Sequence, residues 1–347
     1  MTILLVSALR DEGPHILEWI AHHRSIGVTD FLLFTNDCAD GTEVMLDALG
    51  AFGVTHVANP AEPGKSVQWS ALKAAWDHPL RKKADWILCV DSDEFVNLTA
   101  PLASLDELIA QMGEADAITL PWRLFGHNGQ ARLTDRPTCE TFTRCAPLGC
   151  DYPVGARQFK TLFRAKGPFR QIGVHRPRLK KDRTAVWRDS AGAQMPAEFA
   201  AAEHRLTLFG MPESADLVQL NHYSVRSAQS FMVKRARGLP NRWGKPIDLT
   251  YWVERNFNTV EDTSITRFEA GTAEVLSQMV KIHGLRDLHA AAHAHHHASF
   301  EAILRDEASL KLYGRLLLAA TSVPLPRSVV GELIQRYQQV PRSEGSS

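Results

Sequence analysis

The stretch Ala84-Asp85-Trp86-Ile87-Leu88-Cys89-Val90-Asp91-Ser92-Asp93-Glu94-Phe95-Val96 decides the fold. Trp86 to Val90 is a short apolar run of the kind that forms a strand buried on both faces of a sheet, and it stops at three carboxylates in four positions. Asp91 and Asp93, two residues apart past a strand end, repel each other unless a cation lies between them. That points to a divalent ion held by oxygen ligands. The competing reading is a polar turn that caps a helix, because Asp and Ser are common N-caps. Ligands of open α/β sheets bind at the carboxyl ends of buried strands, which favours the ion.

Outward from this stretch, strand and helix alternate. Thr2 to Leu9 reads as a first strand, and Arg10-Asp11-Glu12-Gly13-Pro14 leads into a helix through Ile16, Leu17, Ile20 and His23 that Gly27 closes. Phe31 to Thr35 is a second buried strand ending at Asn36-Asp37. A helix then starts at Asp40-Gly41-Thr42, Val54 to Val57 is a third strand, and a helix from about Ser66 to His78 returns to the central one. This alternation predicts a Rossmann-type, mostly parallel sheet flanked by helices, with right-handed crossovers. Later strands are expected at Ala117 to Pro121, Gln158 to Arg164 and Leu217 to Leu220, and a helix at Ser227 to Arg237 with Lys234, Arg235 and Arg237 exposed. Thr266 to Gln339 reads as mostly helical.

Composition narrows the class. The 347 residues are 44% hydrophobic and 22% charged, with 39 basic and 39 acidic side chains, a balance that argues against bulk nucleic-acid binding. Met1 to Val6 lacks a basic region and meets Arg10 and Asp11 too soon for a signal peptide, and no apolar run approaches a bilayer span. Five cysteines without C-x-x-C spacing read as reduced thiols, and a cytoplasmic protein is the expectation. No G-x-G-x-x-G follows the first strand and no G-x-x-x-x-G-K-[ST] occurs. A nucleotide bound here would have its phosphates neutralised by a metal and side chains instead of a glycine cradle.

In this order, Arg10-Asp11-Glu12, Phe34-Thr35-Asn36-Asp37, Asp91-Ser92-Asp93-Glu94-Phe95, Trp122 to Gly126, Gly173 to Pro177 and Asn221 to Ser227 form a series. The series resembles family 2 glycosyltransferases of the GT-A fold, in particular the bacterial branch related to family 92, over roughly Thr2 to Gly238. The chain's own pattern gives a helical region at 239–342 and a tail at 343–347 expected to be disordered, and the resemblance implies a GT-A-like catalytic domain at 1–238. It implies an enzyme that moves a sugar from a nucleotide-sugar donor, UDP-linked, to a hydroxyl of a glycan or lipid-linked precursor with inversion, using Mn2+ or Mg2+. It also implies a role in polysaccharide biosynthesis, no nucleic-acid partner, and leaves a peripheral contact with the inner membrane open. A sugar nucleotidyltransferase and a non-catalytic nucleotide-sugar-binding protein are the alternatives.

Carried over by residue, Asp91 and Asp93 correspond to the Asp-x-Asp pair that meets ribose and metal. Arg10, Glu12, Asp37, Lys65, Gln68 and Ser92 are the further donor contacts, with an ordinary exposed lysine the competing reading of Lys65. His222 and His175 are the candidates for completing the metal shell, His222 preferred because a strand delivers it into a turn. Arg226 and Lys234 are candidates for neutralising the departing diphosphate. For the acceptor-side base the sequence offers Glu140, Asp135 and Asp151, of which Glu140 is chosen. The histidine-rich run His289 to His297 lacks a suitably placed carboxylate or Cys, and is expected to be a solvated helix or loop.

Overall fold

The computed structural model describes residues 1–212, 214–238 and 247–340. Strands β1 (Ile3–Leu9), β2 (Asp30–Thr35), β3 (Val54–Ala58) and β4 (Trp86–Cys89) are joined through helices α1 (Gly13–Ser25), α2 (Thr42–Ala48) and α3 (Val67–Asp77). They pair in the order β3-β2-β1-β4, all parallel. The reason is legible in β1, whose side chains point alternately to two cores. Ile3, Leu5 and Leu9 pack with Ile16, Trp19 and Ile20 of α1, whereas Leu4 and Val6 pack with Ala71, Leu72 and Ala75 of α3. β4 divides the same way, with Trp86 and Leu88 on the α1 side and Ile87 and Cys89 on the α3 side. A fully buried side chain of this size contributes roughly 1.5–3 kcal/mol, so a strand buried on both faces is strongly held.

Beyond β4 the sheet becomes mixed. Strand Phe159–Arg164 runs antiparallel between β4 and β6 (Ala117–Leu124), strand Val218–His222 lies parallel to β6, and β5 (Glu94–Leu98) closes the edge antiparallel to Val218–His222. The result is the mostly parallel α/β sheet flanked by helices that was expected, with its antiparallel pairings confined to the second half of the sheet. The chain thus leaves the middle of the sheet at Cys89 and re-enters at its far edge at Glu94. Asp91-Ser92-Asp93 is the turn that makes the crossing, and the Tyr223 amide donates to the Asp93 carbonyl at 2.8 Å, tying the turn to the end of the neighbouring strand.

The carboxy-terminal region is helical where described. Helices Glu269–Met279 and Leu285–Ile303 pack on α1, and Leu285–Ile303 and Glu307–Leu318 pack on helix Ala228–Arg237. Phe231, Met232, Trp252, Phe300, Leu312 and Leu316 form the core between them. The histidine run belongs to this packing, which corrects the expectation of a solvated segment. His296 is buried, its Nδ1 3.2 Å from Gln229 Nε2, and His289 Nε2–H donates to the Pro14 carbonyl at 3.2 Å. The tail at 343–347 lies outside the described residues. Among the described residues no helix is long and apolar enough to cross a membrane.

Candidate active site

A cleft with a cavity of about 130 Å³ opens at the carboxyl ends of β1 and β4. Arg10, Glu12, Gln68, Asp91, Ser92, Asp93, His175 and His222 line it together. Trp122, Lys234, Arg237, Tyr251 and Arg255 complete its walls. Eight residues singled out in the sequence, spread over more than two hundred positions, are therefore brought to one place. Three are not among its lining residues. Asp37 is exposed at the turn after β2, and Lys65 is exposed and paired with Glu62 at 2.5 Å. The third is Glu140, whose expected role as base is corrected by its position. The short helix Thr138–Thr141 that carries it docks through the amides of Thr138 and Cys139, at 2.7 and 3.1 Å, onto the Glu18 carboxylate of α1. Glu140 consequently lines a separate pocket with Glu18, His22 and Phe268.

The acidic turn is neutralised from within the chain. Lys160 is fully buried, and its Nζ donates to Asp91 Oδ2 at 3.0 Å and lies 3.3 Å from Glu94 Oε2. Gln68 Nε2 donates to the other oxygen of Asp91 at 3.4 Å. Lys234 donates to Asp93 Oδ2 at 2.7 Å and to the Ser224 carbonyl at 2.9 Å. Burial by itself would raise the Asp93 pKa, but Lys234, then His222 and Arg226, hold it well below the usual carboxylate range. Glu94 is different. Burial, opposed by Lys160 and reinforced by repulsion from Asp91 and Asp93, pushes its pKa up to about 8. Burial works against the Lys160 ammonium, but the acidic side chains beside it, Asp91 first, outweigh it and raise its pKa.

A second cluster sits beside the first. Glu12 accepts from Arg226 Nη1 at 3.0 Å and from Arg237 Nη2, and the two arginines overcome burial to bring its pKa down to about 2. Arg226 also donates to the Ser92 carbonyl at 2.9 Å, and Arg237 to the carbonyls of Arg10 and Asp11. Arg226 has φ of 46°, a left-handed conformation uncommon for a residue with a side chain. Such strain persists where the surroundings over-determine it, and here the guanidinium is held by Glu12 and Ser92. Glu12 thus lines the cleft while its carboxylate holds the two arginines.

Lys234 and Arg237 are three residues apart on helix Ala228–Arg237 and so share a face. The Ser227 side chain caps this helix, accepting from the Ser230 amide at 3.0 Å. The face points into the cleft, not to solvent, which corrects the expectation that both side chains are exposed. Lys160 was missed altogether. The available signal was a lysine inside the apolar run Phe159-Lys160-Thr161-Leu162-Phe163, since lysine is almost never fully buried without a partner.

The two candidate histidines differ. His222 is buried against Trp122, with ring centroids 4.2 Å apart, and its Nε2 lies 3.6 Å from Asp93 Oδ1. Its Nδ1 has no hydrogen-bond partner, and burial lowers its pKa in spite of Asp93. An imidazole nitrogen and a carboxylate oxygen this close would each offer one ligand atom to a divalent ion. His175 is anchored elsewhere. Its Nδ1–H donates to the Phe159 carbonyl at 3.0 Å, and burial and the Lys160 charge lower its pKa to about 4. Among the described residues, the group compact enough for an ion is Asp11, Cys38 and Asp40. Those groups already serve the backbone. Asp11 accepts from the Ala39 amide, Asp40 from the Gly13 and Thr42 amides, and burial pushes the Cys38 thiol up to about 12.

Residues 10–140 match the model of Glycosyltransferase family 92. The match covers less than half of the chain, includes the Asp91 to Asp93 turn, and supports a glycosyltransferase. No curated protein sequence matches the chain. Among solved structures, TarS from S. aureus aligns at 14% identity over 48% of this chain and 28% of its own, with a TM-score of 0.30. Its 1–349 fragment aligns at 14% identity over 100% of this chain and 98% of its own, with a TM-score of 0.32. Glucosyl-3-phosphoglycerate synthase from Mycobacterium tuberculosis, solved with Mn2+, UDP and glucosyl-3-phosphoglycerate, aligns at 19% identity over 35% of this chain and 44% of its own, with a TM-score of 0.23. The chain thus covers under a third of the full-length TarS chain. These scores are low, and the fold rests on the strand order described above.

Proposed function

We propose that this protein is a metal-dependent, inverting glycosyltransferase of the family 2 and family 92 lineage. It moves a sugar from a nucleotide-sugar donor, UDP-linked on this reading, to a hydroxyl of a glycan or lipid-linked precursor in polysaccharide biosynthesis. The observation that carries the reading is the cleft itself, in which the Asp91-Ser92-Asp93 turn faces His222 on one side and the cationic pair Lys234 and Arg237 on the other. Departure of a nucleoside diphosphate builds negative charge on its β-phosphate, and preorganised cations in a partly desolvated cleft stabilise that charge far more than water does. Lys234 and Arg237 supply it. Glu12 holds Arg237, and Asp93 holds Lys234, so neither side chain has to reorganise during the reaction. Asp93 and His222 would hold the divalent ion, which when bound adds Lewis-acid stabilisation at the diphosphate. Asp91, paired with Lys160 and partly exposed, is the acceptor for donor hydroxyls. On this reading residues 1–238 are the catalytic body, the helices after 239 buttress the cationic helix, and the protein works in the cytoplasm.

Two measurements test the reading. Incubation with a panel of UDP- and GDP-hexoses is expected to release nucleoside diphosphate, slowly to water and faster once a glycan acceptor is supplied. Absence of release from every donor would remove the transferase assignment. Calorimetry with UDP is expected to show at least about tenfold tighter binding with Mn2+ than with chelator, because the ion offsets repulsion between the acidic turn and the diphosphate. His222→Ala should erase that difference. Equal affinity in chelator would sink the metal assignment and leave the cationic pair as the sole phosphate site.

A further inference from the structure

Glycosyl transfer to a hydroxyl requires a group that takes the hydroxyl proton, and Glu140 is held away from the cleft. The carboxylates among the described lining residues are Glu12, Asp91 and Asp93, each paired to a buried cation: two arginines, Lys160 and Lys234 respectively. We propose that His175 is the general base, with Nε2 as the atom that receives the proton. This assignment rests on the glycosyl-transfer reading above.

The geometry selects the accepting atom. A carbonyl oxygen only accepts, so the contact between Nδ1 and the Phe159 carbonyl at 3.0 Å puts the ring proton on Nδ1 and leaves the lone pair on Nε2. No protein group among the described residues hydrogen-bonds Nε2, and His175 lines the same cleft as Asp91 and Lys234. Its backbone is held as well, because Thr161 Oγ1 donates to the His175 carbonyl at 2.7 Å. Phe159 and Thr161 flank Lys160, so one strand positions both the base and the cation behind Asp91. An orienting carbonyl on one ring nitrogen and a free lone pair on the other is the arrangement a histidine base needs. In the step, the acceptor oxygen bonds to the anomeric carbon as its proton moves to Nε2. The bond from that carbon to the diphosphate oxygen breaks, and its electron pair leaves with the diphosphate. The imidazolium returns its proton to solvent as product departs.

The test uses the full chain, with water as the acceptor and UDP- and GDP-hexoses as donors. His175→Asn keeps an N–H donor for the Phe159 carbonyl and removes the basic nitrogen, whereas His175→Ala leaves space for added imidazole. Both are expected to lower the rate of nucleoside diphosphate release about 100-fold while UDP affinity with Mn2+ stays within about twofold, and imidazole is expected to restore His175→Ala about tenfold. Rates within about threefold of wild type in the folded His175→Asn variant would overturn the assignment. So would a loss accompanied by weaker UDP binding and no imidazole rescue, which would make His175 a donor-site or metal residue. If the wild type released nothing from any donor, the transferase reading would fall and the base with it. UDP binding would separate that outcome from a misfolded preparation.

Discussion

Glu12→Gln is expected to lower stability by about 3–5 kcal/mol at neutral pH, because it leaves two buried guanidinium groups, Arg226 and Arg237, without their shared anion. The pH dependence of the loss identifies its cause. The Glu12 pKa falls from 4.5 to about 2 on folding, so its contribution is fully present above 4.5 and is lost as pH falls toward 2. At 1.36 kcal/mol per pKa unit, that depression corresponds to about 3 kcal/mol, in line with the cost of breaking the pair. The gap between wild type and variant, read from urea denaturation, should therefore narrow between about pH 4.5 and pH 2. A gap that stays constant over that window would show that the arginines do not depend on the Glu12 charge. Donor binding should weaken too, since Arg237 reaches the cleft only while Glu12 holds it.

Lys234→Met is expected to slow nucleoside diphosphate release by about 100- to 1,000-fold, the range found when one preorganised donor to a developing anion is removed. The same substitution leaves Asp93 ionised and buried without its ammonium partner, so stability should drop as well. Combining it with Asp93→Asn separates the two effects. The double variant removes the unpaired charge and should recover melting temperature relative to Lys234→Met alone, because residues in contact do not contribute additively. It should remain as inactive, because both the cation and the metal-facing carboxylate are gone. Turnover within about threefold of wild type in folded Lys234→Met would mean that the diphosphate is neutralised elsewhere.

The same reasoning explains how much could be read in advance. The first four strands and their helices follow from local pattern, since β1 and β4 are apolar runs short enough to be strands and bounded by polar turns. The position of the acidic turn at a strand end follows from the same pattern, as does the delivery of His222 at the end of another strand. What the pattern could not carry was the identity of the counter-charge. Three carboxylates in four positions imply a cation, and a divalent ion was the natural inference. Yet the folded chain already provides Lys160, 69 residues away, and Lys234, 141 residues away.

Sequence by itself thus determined the α/β class, the strand–helix alternation of the first half and the strand end where chemistry would gather, because each depends on hydrophobic periodicity over a few residues. Tertiary structure alone decided which charges meet. Phe159–Arg164 enters antiparallel beside β4, and this inserts Lys160 beneath Asp91 and brings His175 to the cleft wall. The packing of Thr138–Thr141 on Glu18 removes Glu140 from the site, and the Glu12 pair turns helix Ala228–Arg237 inward. The physical reason is common to all three. Burial makes an unpaired charge prohibitively costly, so a charged side chain goes where a distant partner awaits it, and sequence spacing carries no record of that distance.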